Sequence, residues 1–342
     1  MEPFYDPTKS YEENYQEGPF GAFASGEIHE GPVIPFGIPA GPLLNSKFIK
    51  GAFEKGFDMC VYKTVRSDIY PCHPFPNVLA VHPGNTLTFE KAQSEPLVAD
   101  THYTSPISIT NSFGVPSRPV SVWQEDARKA ISYARPGQTM IMSCMGTVRE
   151  GQSQNDFIDD YIRAAKLAME INPPMLEINL SCPNIGNEGL VCYNLDVSEK
   201  VISGIRAVIG TTPLILKVGY YKDQAQLKTF AQIADKYAQV ISAINTIQAT
   251  IVDAKGNQAL PGPMRARSGV CGASIKWAGL EMTKRLADLR KSAKTNYQIC
   301  GVGGVTTPAD YHEYRSAGAD IVMSATGAMW NPHLAMEIKK TL

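Results

Sequence analysis

From Val33 onward the chain alternates short apolar, β-branched runs with longer amphipathic stretches. Strand-like runs fall at Val33–Pro39, Met59–Val65, Thr139–Ser143, Leu176–Leu180, Leu214–Val218, Val240–Asn245, Gln298–Val302 and Asp320–Ser324. Between them the spacing predicts helices over Val120–Ala134, Asn155–Ile171, Val197–Val208, Gln224–Tyr237, Ile275–Ser292 and Pro308–Ala317. Thr307-Pro308 puts a hydroxyl at an N-cap and proline at the first helical position. Alternating strand and helix build a parallel sheet, and eight strands suffice to close it. The predicted fold is therefore α/β, a (β/α)8 TIM barrel.

Long insertions are predicted after strands 2 and 6, spanning Arg66–Gln138 and Thr246–Tyr297, each with one helix. The first carries an extended run from Ser108 to Ser112. The second carries a hairpin over Thr250–Leu260 that turns at Lys255-Gly256-Asn257. Long insertions after barrel strands generally build the active-site face. Residues 1–32 show no sustained apolar period and are expected to form an irregular N-terminal arm, with 33–342 as a single barrel domain.

Composition narrows the function classes. The 342 residues are 44% hydrophobic, enough for a sizeable core. Thirty-two Lys+Arg against thirty-three Asp+Glu leave a net charge of −1, without the field that nucleic-acid binding needs. No apolar run reaches the roughly 18–20 residues of a membrane helix. The start, Met1-Glu-Pro-Phe-Tyr-Asp, lacks the basic and apolar regions of a secretory signal, so a cytoplasmic location is expected. Seven scattered cysteines without a Cys-x-x-Cys pair, and six histidines without ligand spacing, predict neither disulfides nor a metal site.

The polar residues at strand ends carry the chemistry. Glu177-Ile-Asn-Leu-Ser-Cys-Pro-Asn184 is a strand that runs into a polar cluster. Asn179 and Asn184 can read a ring edge that bears both carbonyl and N–H groups. Cys182 suits a base or nucleophile, although an isolated cysteine is more often an inert core thiol. Lys63 and Lys217 stand near equivalent strand ends, with Thr64 beside the first and Asn245-Thr246 ending strand six. A lysine inside a doubly buried strand is costly unless paired, so two of them predict a cationic, amide-lined pocket.

Two glycine-bearing turns, Cys300-Gly-Val-Gly303-Gly304 and Ser324-Ala325-Thr326-Gly, follow the last two strands, where this fold usually cradles phosphate. In the first insertion, Asn111-Ser-Phe113-Gly114-Val115-Pro116 forms a tight loop whose N–H groups can meet a carboxylate. Gly186-Asn-Glu-Gly189 has the glycine hinges of a lid.

Together these motifs resemble the dihydroorotate dehydrogenase family, from about Pro35 to Ala328, with the most specific match at Asn179-Leu-Ser-Cys182-Pro-Asn184. The stretch Arg66–Thr110 matches poorly. The resemblance implies FMN, with its phosphate at Gly303, Gly304, Ala325 and Thr326. Its ring would lie near Pro39, Ala40, Gly41, Lys63, Thr64, Ser143, Asn179, Asn245 and Gly272, with Lys217 at the N1/C2=O edge. The orotate carboxylate would meet Lys63 and the N–H groups of Phe113, Gly114 and Val115. Asn111, Asn179, Asn184, Asn245 and Thr246 would contact the pyrimidine. Cys182 would take the C5 proton while hydride leaves C6. Cysteine there resembles the soluble class 1 enzymes, since class 2 enzymes carry serine.

Three features depart from the family pattern: a long arm before the first strand, Ala325 in place of glycine, and Cys271 in place of glycine. The chain also resembles the flavin domain of dihydropyrimidine dehydrogenase, which reduces uracil-like rings, but Asn184 and the Gly114–Pro116 loop favour orotate. A non-redox lyase or isomerase barrel with the same phosphate cradle, and a catalytically silent scaffold, are the readings from other classes. Class 1 relatives imply either fumarate reduction by a homodimer or electron transfer to a separate subunit bearing FAD and an iron–sulfur cluster.

Overall fold

The structure is a computed structural model that describes residues 3–84, 86–181 and 190–342. Eight parallel strands close into one barrel, each paired with its neighbours in sequence order. They are Phe36–Ile38, Met59–Val65, Thr139–Cys144, Met175–Asn179, Leu214–Val218, Val240–Ala243, Gln298–Val302 and Ile321–Met323. The second, fifth and seventh match their predicted bounds. The first and last are shorter than predicted, and Pro35 and Pro39, lacking N–H donors, flank the first.

All six predicted helices form, within one or two residues at most ends. A further helix, Ser46–Glu54, links the first two strands and is capped by the Asn45 side chain accepting from the Lys47 N–H. Its pattern is masked by Gly51, which is needed because a Cβ there would lie 2.7 Å from the Phe23 ring. Helix Leu334–Lys339 completes the outer layer.

The insertions fold onto one another. Strands Val78–Val81, Leu97–Asp100 and Ser108–Asn111 from the first join Ile247–Val252 and Arg267–Gly272 from the second in a small closed sheet. Asn111 thereby pairs with Gly269 across the two insertions. The predicted hairpin is present, with Val252 bridging Gln258. The first insertion holds a second, short helix, Phe89–Ser94, that the sequence pattern did not reveal.

The arm departs from the expectation of irregularity. Ser10 and Glu13 form a capping box that starts helix Tyr11–Glu17, and Gly21–Ala24 makes a turn of 3-10 helix. Phe4, Tyr5, Tyr11 and Phe23 are buried, and the Phe4 ring stacks on Phe23 at 4.1 Å. Amphipathicity is invisible over so short a helix, and its stability comes from this packing.

Period-two alternation inside the barrel positions the site. Val61, Ile141, Ile215, Val240, Cys300, Val302, Ile321 and Met323 form an apolar cluster in the barrel interior. Two residues further along the second, third, fifth and sixth strands come Lys63, Ser143, Lys217 and Ser242, all buried. Glu177 and Asn179 continue the same face of the fourth strand from Met175. The polar layer therefore lies at the C-terminal mouth.

At the opposite end, buried Lys339 pairs with buried Asp58 at 2.9 Å and ties the last helix to the second strand's entry. Breaking a buried pair leaves an uncompensated charge. Lys339→Met should lower the unfolding free energy in urea by about 3 kcal/mol. Adding Asp58→Asn should recover part of that loss.

Candidate active site

The mouth of the barrel begins with a chain of hydroxyls. Ser143 Oγ donates to Glu177 Oε1 at 2.8 Å, so Thr64 Oγ1, 2.9 Å away, donates to Ser143. Burial pushes the Glu177 carboxyl up, while Lys217 and the Ser143 hydroxyl pull it back. Lys217 Nζ donates to the Ala40 carbonyl at 3.2 Å, linking the fifth strand to the Pro39-Ala40-Gly41 turn. Gly41 has φ 139° and open space where a Cβ would stand.

Lys63 is the least compensated cation. It is buried, and the only hydrogen bond of its ammonium among the described residues is a 3.5 Å contact from Nζ to the Thr64 carbonyl. Burial first, then Arg66, and to a smaller degree Lys217, lower its pKa to about 7. An ammonium so placed is pre-set for an anionic ligand.

Opposite Lys63 in sequence, but on the first insertion, the loop after Asn111 supplies backbone donors. The N–H groups of Phe113, Gly114 and Val115 have no acceptor among the described residues. Gly114 and Val115 have φ of 75° and 53°, so these open donors sit on left-handed backbone. Substitution at Gly114 is blocked, since a Cβ would lie 2.5 Å from His73 Nε2.

The amides gather on another side. Asn179 Oδ1 accepts from the Ser181 hydroxyl at 2.7 Å, and Asn245 Nδ2 donates to Ser181 Oγ at 2.7 Å. Asn111 Nδ2 donates to Cys271 Sγ at 3.5 Å, and Thr326 Oγ1 donates to the same sulfur at 3.4 Å. Cys271 thus joins the amide wall to the glycine turns. Thr246 packs against Gly269, where a Cβ would approach its Oγ1 to 2.4 Å.

The glycine turns have the form of a phosphate cradle. Gly303 and Gly304 have φ of 128° and 69°, and a Cβ on Gly304 would lie 2.7 Å from the Lys276 Cβ. The N–H groups of Gly303, Gly304, Ala325 and Thr326 donate to no described residue. Gly272, φ 95°, leaves no room for a side chain, since a Cβ would meet the Ile107 carbonyl oxygen at 2.3 Å. These open donors and absent side chains fit a flavin phosphate.

Cys182, Asn184 and the predicted lid at 186–189 lie outside the described residues. Glu177, Ser181, Arg66 and Arg265 escaped the sequence reading as site residues. Glu177 had a signal, an acid in an apolar strand like that which singled out Lys217. The arginines had none, because their partners are distant in sequence.

Fold and mouth define a (β/α)8 barrel with buried cations and amides at its mouth and open backbone donors after its last two strands. A family model described as dihydroorotate dehydrogenase matches residues 35–342. A dihydroorotate dehydrogenase of Dictyostelium discoideum is 34% identical over 98% of this chain and 96% of its own length. The catalytic subunit of dihydroorotate dehydrogenase B (NAD(+)) from Brachyspira hyodysenteriae is 26% identical over 75% of this chain and 77% of its own. That from Malacoplasma penetrans is 30% identical over 54% and 58%. The chain belongs to the dihydroorotate dehydrogenase family, flavin-dependent oxidoreductases that act on CH–CH bonds in pyrimidine biosynthesis.

The Lys63 pKa gives a test. An anion beside it restores the ammonium, so ligand binding above pH 7 takes up a proton, whereas below pH 7 the proton is already present. Orotate titrated by calorimetry at pH 8.5 in buffers of different ionisation heat should take up close to one proton. No uptake would remove Lys63 from the anion site.

Proposed function

We propose that the protein oxidises dihydroorotate to orotate, with FMN as its flavin and Cys182 as base. The observation that carries this reading is a set of three successive open N–H groups at 113–115 together with buried Lys63, which suits a carboxylate. A uracil-type ring has no group to fill it. FMN is supported by the open donors at Gly303, Gly304, Ala325 and Thr326, which suit one phosphate.

When bound, the flavin supplies the two-electron acceptor. Lys63 and the 113–115 loop hold the substrate carboxylate. Asn111, Asn179, Asn184, Asn245 and Thr246 read the ring carbonyls and N–H groups and orient C5 and C6. The Cys182 thiolate removes the C5 proton, and Lys217 offers positive charge beside the flavin's pyrimidine edge. Pro39, Ala40, Gly41, Thr64, Ser143 and Gly272 line the remainder of the cofactor pocket.

A free thiol has a pKa of about 8.5, so kcat rises toward alkaline pH while neutralisation of Lys63 weakens substrate binding.

Among the described residues no helix is long and apolar enough to cross a membrane, and all six described cysteines are free thiols. We place the enzyme in the cytoplasm on the strength of those thiols. Of the two class 1 acceptor systems, a homodimer that passes electrons to fumarate is the one the next experiment addresses, the other being a separate FAD/iron–sulfur subunit.

Anaerobic addition of dihydroorotate should bleach the yellow protein, and fumarate should restore its colour. Bleaching by dihydrouracil alone would move the assignment to the uracil-type relatives. Cys182→Ala should lower turnover by at least ~100-fold with flavin retained.

A further inference from the structure

The loop that presents the three open N–H groups is held from two sides by buried guanidiniums. Arg265, just before strand Arg267–Gly272 of the second insertion, is 1% exposed. Its Nε donates to Ser112 Oγ at 3.1 Å, and its Nη2 donates to the carbonyls of Ser112 and Pro76, each at 2.9 Å. Its Nη1 donates to the Pro74 carbonyl at 2.8 Å and to the Pro261 carbonyl. No carboxylate pairs with it among the described residues.

From the other side, Arg66 Nε donates to the Val115 carbonyl at 2.9 Å and Nη2 to the Gly114 carbonyl at 3.0 Å. The His73 N–H donates to the Phe113 carbonyl at 3.0 Å. Every carbonyl from 112 to 115 therefore has a donor. In a trans peptide the carbonyl and the following N–H point in opposite directions. Fixing the carbonyls of 112, 113 and 114 consequently fixes the N–H groups of Phe113, Gly114 and Val115.

Arg265 does more than hold the loop. A guanidinium that spends its donors on neutral carbonyls keeps its full positive charge inside the protein. That charge reaches the neighbouring residues: burial first and then Arg265 lower the His73 pKa, and at Cys72, where burial pushes the thiol up to about 11, Lys63 and to a smaller degree Arg265 pull against it.

We propose that Arg265 is a positioning and specificity-determining residue. Through Ser112 it sets the peptide that carries the Phe113 N–H and anchors the start of the loop that faces the substrate carboxylate, and it biases the pocket toward a carboxylate-bearing ring over the same ring without one. This inference rests on the dihydroorotate reading above.

The test compares wild-type holoenzyme with Arg265→Met and Arg265→Lys. The measurements are flavin content, melting temperature, kcat and KM for dihydroorotate, and calorimetric affinities for orotate and for uracil, the ring without the carboxylate. Arg265→Met should keep its flavin and hold kcat within about threefold, while orotate Kd and dihydroorotate KM rise about tenfold or more; one lost charge-assisted contact is worth that much. Uracil affinity should stay within about twofold, so that preference for orotate falls by the full factor. Arg265→Lys keeps the charge and loses the fork, and should lose about threefold or more.

Equal weakening of orotate and uracil, or unchanged orotate affinity, would overturn the proposal. If the methionine variant does not fold, the lysine variant decides alone: an orotate-to-uracil preference equal to wild type overturns the proposal, and a reduced one supports it. A wild-type protein that neither binds orotate nor bleaches with dihydroorotate would instead sink the functional reading on which the proposal rests.

Discussion

Everything at the mouth of this barrel turns on the burial of Lys63. An ammonium without a carboxylate partner among the described residues is expensive to enclose, and here its pKa falls to about 7. The enclosing wall is the alternation of the strands: once Val61 packs inward, Lys63 two residues later must also face inward. The same step places Ser143 above Ile141 and Lys217 above Ile215. Apolar packing in the lower barrel therefore dictates which side chains line the mouth above it, and stability is given up there to enclose Lys63.

Glu177 answers the second cation. It shares the inner face with Lys217, and where burial pushes its carboxyl up, Lys217 and the Ser143 hydroxyl pull it back. Arg66 and Arg265 give most of their donors to backbone carbonyls and others to the Thr147 and Ser112 hydroxyls, and Arg265 has no carboxylate partner among the described residues. The outcome is a mouth rich in positive charge on a chain whose net charge is −1. Global balance hides this because the acids are elsewhere, many of them on the surface.

The arm belongs to the same assembly. Tyr5 and Tyr11 meet the Phe113 ring edge-on, with centroids 5.8 Å and 6.2 Å apart, and the Phe4 N–H donates to the Met329 carbonyl. The arm therefore buttresses the 112–115 loop and touches the short helix Thr326–Trp330 after the last barrel strand. Arg118, stacked 4.3 Å over the Tyr15 ring, pins the arm's helix to the segment just beyond that loop.

Barrel strands and most helices were legible because their signals are local: period two with β-branched residues, period 3.6 with caps. Lys63, Lys217, Asn179 and the glycine turns were legible too, as polar or glycine residues at strand ends of a recognisable fold. Short elements such as Tyr11–Glu17 and Phe89–Ser94 were not, because their stability comes from tertiary contact. Their packing, and the carbonyl clamps, join residues far apart along the chain. Ser112 and Arg265 are 153 residues apart, and Asn111 and Cys271 are 160 apart. By itself the sequence determined the barrel, its mouth and the chemistry of its strand ends, since periodicity and residue type act over a few positions. Only the tertiary structure decided how the two insertions clamp the 112–115 loop, since that depends on close packing between segments whose local patterns carry no record of each other.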